Sequence, residues 1–282
     1  RVSYVRFCDG RKRAPAMPAK IKSVGVLAGE GEIPHMLFEH CIKNNIPVCA
    51  VQFDGCSYSK FPEIPVLKTK IERVGKIFDF FKIHDVSDIV LIGNISKPKI
   101  TSLRPDIKGI KTLAHIAQSY LKGDDCLLKS LKSEIESEGF IVRGVDYFVS
   151  NLTLSAGVHT KTQPTLDYAK GVIEAIRHGQ QDRGQCVLMH PDDCFSYEDR
   201  SGTKVLIENF ARKGSVLIKV TKPQQDPDLD RPTVGLDTMK TLHSKGANGL
   251  IIQANSVFAI HGDAMVRYAN EHNLFIQAIE IE

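Results

Sequence analysis

Ser23-Val-Gly-Val-Leu-Ala-Gly-Glu-Gly-Glu-Ile-Pro34 is the stretch that decides the fold class. Its first six residues form a short apolar run of the kind that a parallel sheet buries on both faces. Gly29 and Gly31 end that run, and Ile33 to Asn44 then repeats apolar residues at helical spacing, so the segment reads as strand, glycine turn, helix. Outward from it, Pro47 to Phe53 supplies a second strand and Asp88 to Ile92 a third. Between them, Ile71, Val74, Ile77, Phe78 and Phe81 share one face of a helix. This β-α-β-α-β order implies a parallel sheet and a Rossmann-like α/β domain. A further helix opens at Gly123-Asp124-Asp125, carries Leu127, Leu128, Leu131 and Ile135 on one face, and ends at Gly139 before Phe140 to Val142.

Residues 150–164 are rich in Ser, Thr and Gly with weak periodicity, which marks a linker. Beyond it a helix from about Thr165 to His178, a strand from Cys186 to Met189 and a helix after Gly202-Thr203 begin a second α/β half. Ser215 to Val220, Gly249 to Gln253 and Phe275 to Ile279 read as strands, separated by helices at 235–245 and 261–272. The expected organisation is a basic extension over 1–20, an N-terminal α/β domain over 21–150 and a C-terminal α/β domain over 151–282. No repeat relates the two halves.

Residues 1–20 hold six Lys/Arg against one Asp, so the +4 of the whole chain leaves the remainder slightly acidic. That argues against nucleic acid as a partner, since phosphate-backbone binding shows as a basic patch on the folded domain. The same stretch lacks hydrophobic periodicity and the apolar core of a secretory signal, and Met17 is the expected natural start. No apolar run approaches the roughly 20 residues that a membrane-crossing helix needs. The seven cysteines include no C-x-x-C pair, and several lie in apolar runs. They read as reduced core thiols in a reducing, cytoplasmic setting. The ten histidines form no H-x-x-x-H pair, and none is assigned a catalytic role.

Four turns carry the residue types of chemistry, each where a strand gives way to a helix, the place where open α/β sheets hold ligands. The first is Gly29-Glu-Gly31-Glu-Ile-Pro34, whose glycines admit a phosphate to the backbone and whose Pro34 suits a first helical turn. It lacks the third glycine of the dinucleotide fingerprint, so a nicotinamide-dependent oxidoreductase is the weaker reading. The second is Gly93-Asn94-Ile-Ser-Lys97-Pro98, where Lys97 reads either as a phosphate contact or as part of a solvated basic loop. The third is Gly123-Asp124-Asp125, where Asp serves equally as an N-cap or as one part of a metal site completed from another turn.

The fourth runs from Lys219 to Gly235 and is the densest. Asp226, Asp228 and Asp230 alternate there with Pro227 and Leu229, flanked by Lys222, Gln225, Arg231 and Thr233. Metal-assisted phosphoryl hydrolysis uses this mixture: carboxylates for Mg2+ or Mn2+, a cationic side chain to offset developing charge, and a positioned water. An acidic surface turn is the plainer alternative. Gly202-Thr203, opening a helix, is a further candidate for anion binding through backbone N–H groups.

Taken in order, these segments resemble the UDP-2,3-diacylglucosamine pyrophosphatases of the LpxI type. The likeness runs from Ile21 to the C-terminus through Leu27-Ala-Gly29-x-Gly31-x-x-Pro34, Gly93 with Lys97-Pro98, Gly123-Asp124-Asp125-x-Leu127-Leu128, and Ala156-Gly157-Val158 before Thr160. It continues through Asp167 and Gly171, Asp182-x-Gly184-Gln185, Gly202-Thr203, Lys222-Pro223-x-Gln225-Asp226, and Asp230-x-Pro232-Thr233-Val234-Gly235. The resemblance implies hydrolysis of the pyrophosphate of a lipid-linked UDP-sugar, with a divalent cation, by two domains that hold the substrate between them. It makes Asp226, Asp230 and Lys222 the expected catalytic residues, with Asp226, Asp230, Asp124 and Asp125 as metal ligands. Gly29, Gly31, Pro34, Gly93, Lys97, Gly202, Thr203, Gln225 and Thr233 become the expected substrate contacts. Transient contact with the cytoplasmic face of the inner membrane follows from the acyl chains of such a substrate, and a homodimer is compatible with the reading. Asn94, Ser201 and Lys204 depart from the family pattern, which keeps a non-catalytic UDP-sugar or lipid-phosphate sensor as the alternative.

Overall fold

The computed structural model describes residues 21–56, 61–93, 105–106, 108–110, 112 and 124–281. The chain divides into two units, one reaching Ser150 and including Asp226–Asp230, the other holding Asn151–Gln225 and the chain from Arg231 onward.

The first unit is built on a five-stranded sheet of order β3-β2-β1-β4-β5. The strands are β1 (Val24–Ala28), β2 (Val48–Phe53), β3 (Val66–Thr69), β4 (Asp88–Ile92) and β5 (Ile141–Val142), and every pairing is parallel. All five residues of β1 are buried, as its central place requires. Helices α1 (Ile33–Lys43), α2 (Val74–Ile83) and α3 (Asp124–Ser137) accompany the sheet. Phe78 and Phe81 of α2, Ile135 of α3, Phe140 and Val142 pack on Leu27, Val51 and Ile89, and Leu229 joins the same cluster. The parallel α/β reading therefore holds, with β3 added at one edge. Only four residues long, with Val66 and Leu67 half-buried and Lys68 exposed, β3 has too little burial to imprint a pattern on its sequence.

The second unit is also α/β, with a mixed sheet of order β6-β13-β11-β9-β7-β8. Its strands are β6 (Gly157–Val158), β7 (Cys186–Met189), β8 (Phe195–Tyr197), β9 (Val216–Lys219), β11 (Gly249–Gln253) and β13 (Phe275–Ile279). β9, β11 and β13 are mutually parallel, whereas β6, β7 and β8 are antiparallel additions. Strand residues alternate between two cores. Val187, Val216, Ile218 and Ile251 face helix α4 (Ala169–Gln180), through Ala175, and Tyr168 just before it. Leu188, Leu217, Leu250 and Ile252 face α5 (Thr203–Phe210), α6 (Leu236–Ser244) and α7 (Gly262–Glu271). A two-stranded parallel pair, β10 (Thr233–Val234) with β12 (Phe258–Ala259), completes the unit. Residues 151–160 are built into it, with Leu152 O accepting from Ala259 N–H and Thr153 bridging Phe258.

Cys41, Cys49 and Cys186 are buried free thiols, and burial pushes them up to about 11, about 12 and about 12, so they stay protonated. Cys126 and Cys194 are exposed, unlike the core thiols expected. Among the described residues no helix is long and apolar enough to cross a membrane.

Candidate active site

In the first unit the chain runs outward from β1 through β2 to β3 and then returns to β4, so the strand order reverses between β1 and β4. Ligands of open α/β sheets bind in the crevice at that reversal, outside the carboxyl ends of the strands. Gly29 and Gly93 stand there: Gly29 N–H donates to Ile92 O at 2.7 Å. Gly93 has φ +91, and a Cβ on it would lie 2.6 Å from the Gly29 carbonyl, so the close approach of the two turns demands glycine. Gly31 follows at φ +122, and Pro34 is buried in the first turn of α1, whose N-terminus has no side-chain cap. Gly29 and Gly93 thus meet at the carboxyl ends of β1 and β4, with Gly31 and Pro34 on the turn and helix that follow β1. Asn94 and Lys97 lie outside the described residues. Asp124 and Asp125 open α3, and their side chains also lie outside what is described.

Asp226–Asp230 belongs to this same unit. Pro227 fixes the chain direction while Asp226 Oδ1 accepts from Asp228 N–H at 3.0 Å, the side-chain turn that Asp commonly builds with the residue two ahead. Asp226 O accepts from Leu229 N–H and Asp230 N–H at 3.0 and 3.2 Å, closing the turn. Leu229 is buried in the core, and Gly144 N–H, just after β5, donates to Asp228 Oδ1 at 3.3 Å. Lys132 of α3 donates to Asp226 Oδ2 and Asp228 Oδ2, each at 3.0 Å. Burial pulls the Lys132 ammonium down, but its hydrogen bonds to Asp228 and Asp226 outweigh that and hold it above its ordinary value. Asp230 is exposed.

In the second unit, Thr203 and Thr233 meet through Lys219, the last residue of β9. Lys219 is 6% exposed, and its ammonium donates to Thr203 Oγ1 at 2.9 Å and to Thr233 O at 3.0 Å. Thr203 Oγ1 in turn donates to Glu198 Oε1 at 2.6 Å, and Gln185 N–H donates to Glu198 Oε2 at 2.8 Å. Gly202, at φ +87, caps α5 and presents Thr203 to this chain of polar groups. Lys222 donates to Asp182 Oδ1 at 2.7 Å, and Gln225, buried, donates its N–H to Lys222 O at 3.1 Å. Glu198 and Lys132 were not singled out in the sequence. A charge closing the apolar run Val216-Leu-Ile-Lys219 was the available signal for Lys219, whereas Lys132 looks like any solvated helix position.

A divalent cation needs several oxygen ligands. Among the described residues no group of three His, Cys, Asp or Glu side chains is arranged to hold one. The carboxylates of Asp226 and Asp228 come closest, and the positive charge between them is the Lys132 ammonium. The described side chains therefore do not assemble the ligand set expected for Mg2+ or Mn2+.

Two α/β units, with glycine turns at the reversal point of a parallel sheet and an acidic turn in the same unit, place this chain among open-sheet α/β proteins, which bind ligands at that reversal. Residues 23–152 match the LpxI N-terminal domain and residues 154–277 the LpxI C-terminal domain. The chain belongs to the LpxI family. A relative from Caulobacter vibrioides, the UDP-2,3-diacylglucosamine pyrophosphatase LpxI, is 25% identical over 275 residues, covering 92% of this chain and 98% of the relative.

Proposed function

We propose that this chain hydrolyses the pyrophosphate bond of UDP-2,3-diacylglucosamine, giving 2,3-diacylglucosamine 1-phosphate and UMP, a step of lipid A assembly. The observation that carries the reading is that both halves of the chain match the two LpxI domains in order, alongside a pyrophosphatase relative aligned over 98% of its length. In this reaction the oxygen of water bonds to one phosphorus, the bridging P–O bond breaks, and a carboxylate takes the water's proton. Asp226 and Asp230 are the carboxylates we assign to that work. Lys222 offsets the charge that develops on the phosphoryl oxygens, as a cation beside a transferring phosphoryl group does. Gly31, Gly93 and Lys97 would receive phosphate through backbone N–H groups and one ammonium, Gly29, whose N–H is held by Ile92 O, would let the phosphate approach without donating to it, and Pro34, Gly202, Thr203, Gln225 and Thr233 would contact the remainder of the substrate. A divalent cation, which Asp226, Asp230, Asp124 and Asp125 would hold although the described side chains alone do not assemble its site, would lower the pKa of water and neutralise phosphate. Transient contact with the inner membrane belongs to it as well, through the acyl chains.

The test is UMP release from UDP-2,3-diacylglucosamine by purified protein, with Mg2+, with Mn2+ and with excess EDTA. Release that EDTA abolishes supports metal-assisted hydrolysis, and release that survives EDTA supports hydrolysis without the cation. Binding of the substrate with no release would replace the enzyme by a sensor.

A further inference from the structure

The acidic turn is fixed by a residue from outside it. Lys132 lies on α3, the helix that Asp124 opens, and its ammonium is 3.0 Å from both Asp226 Oδ2 and Asp228 Oδ2. We propose that Lys132 is a positioning residue for Asp226, holding its carboxylate beside that of Asp228 by placing a positive charge that bridges the pair. The proposal rests on the assignment of Asp226 to pyrophosphate hydrolysis.

Two carboxylates separated by a single proline repel each other, and the repulsion swings the side chains apart unless a cation sits between them. Three points fix the turn. Leu229 is anchored in the core, Gly144 N–H holds Asp228 Oδ1, and Lys132 holds Oδ2 of both acids. Of these, Lys132 alone touches Asp226. The Lys132 side chain is 20% exposed and that of Asp226 21%, so this half of the bridge is better shielded from water than the half at Asp228, which is 48% exposed. Asp226 also accepts Asp228 N–H on Oδ1, which sets the plane of the carboxylate once Oδ2 is held. Charge-assisted bonds of this kind are stronger than neutral ones. Without Lys132, Asp226 keeps, among the described residues, its local turn bond to Asp228 N–H and loses the bridge to the Asp228 carboxylate. A misplacement of this sort lowers the rate of the bound complex rather than the affinity for substrate.

The experiment uses the full chain and compares wild type with K132M, K132A and K132R. The expected result for K132M and K132A is a kcat lowered about 10- to 100-fold with KM within about twofold of wild type. K132R, which keeps the charge, is expected to recover most of the loss, and ethylammonium added to K132A is expected to raise kcat saturably. A kcat within twofold of wild type in K132M, a KM that rises while kcat is unchanged, or K132A that stays folded and is not rescued would overturn the proposal. Hydrogen exchange separates this outcome from failure of the hydrolase reading. The N–H groups of Asp228 and Gly144 are expected to exchange about tenfold faster in K132M whether or not wild type releases UMP. Unchanged exchange overturns the positioning role, whereas faster exchange in a protein that releases no UMP leaves the clamp standing and removes only the activity.

Discussion

Replacing Gly93 by Ala tests whether the two glycine turns meet as the sheet reversal requires. At φ +91 an alanine is strained, which costs about 1–2 kcal/mol. Its Cβ would also lie 2.6 Å from the Gly29 carbonyl and 2.8 Å from Glu30 O, both backbone atoms that cannot rotate away. Overpacking of that kind adds about 1–3 kcal/mol, so the expected loss is about 3 kcal/mol. Gly31→Ala is the internal control. Gly31 has φ +122 with nothing within 4 Å of an added Cβ, so only the backbone strain of about 1–2 kcal/mol applies. The assay is hydrogen exchange of β1 amides under conditions where they open only by unfolding of the first unit, because a chain of two units has no single unfolding free energy. If Gly93→Ala proves no more destabilising than Gly31→Ala, the two turns do not abut and the crevice between β1 and β4 is wrongly drawn.

Other outcomes follow from the same geometry. Asp226→Ala and Asp230→Ala are each expected to lower kcat about 10²- to 10⁴-fold while thermal unfolding stays close to wild type, because one residue is exposed and the other only partly buried. Glu198→Ala removes the acceptor of Thr203 Oγ1 and Gln185 N–H beside the buried Lys219, so hydrogen exchange of β9 amides should show the second unit less stable by about 3 kcal/mol. His190, buried between Ser215 and Ser196, is held below its ordinary pKa by burial and by the nearby Arg212 charge. The folded chain keeps it neutral while the unfolded chain gains a proton below about pH 6.5. Its stabilisation is therefore complete above that value and declines as pH falls, and urea midpoints at pH 7.5 and 5.5 should differ more in wild type than in His190→Gln.

The central strands were legible because burial on both faces writes continuous apolar runs: Val24–Ala28, Val216–Lys219 and Gly249–Gln253 each announce themselves. β8, β10 and β12 escaped because two or three residues cannot show a period, and β3 because an edge strand is only half-buried. The sequence also hid the direction of β7. Its antiparallel pairing with β9 depends on the crossover and not on composition. Within the site, glycine positions were readable since a tight turn admits few other residues, and Thr203 and Thr233 were readable as candidates. Their meeting at Lys219 was not, because a contact between the end of a strand and two distant turns leaves no local signature. Nor did the sequence reveal that Lys132, nearly a hundred residues from the acidic turn, would fall between Asp226 and Asp228, since helical spacing alone places it among solvated lysines.

The account's central claim is tested most directly by incubating the protein with UDP-2,3-diacylglucosamine in ¹⁸O-labelled water and weighing both products. Hydrolysis predicts one ¹⁸O atom in either UMP or 2,3-diacylglucosamine 1-phosphate, with no label in the other, and both products forming about 10²- to 10⁴-fold more slowly in Asp226→Ala. Intact substrate recovered after full occupancy of the protein, or products that carry no label, would contradict it.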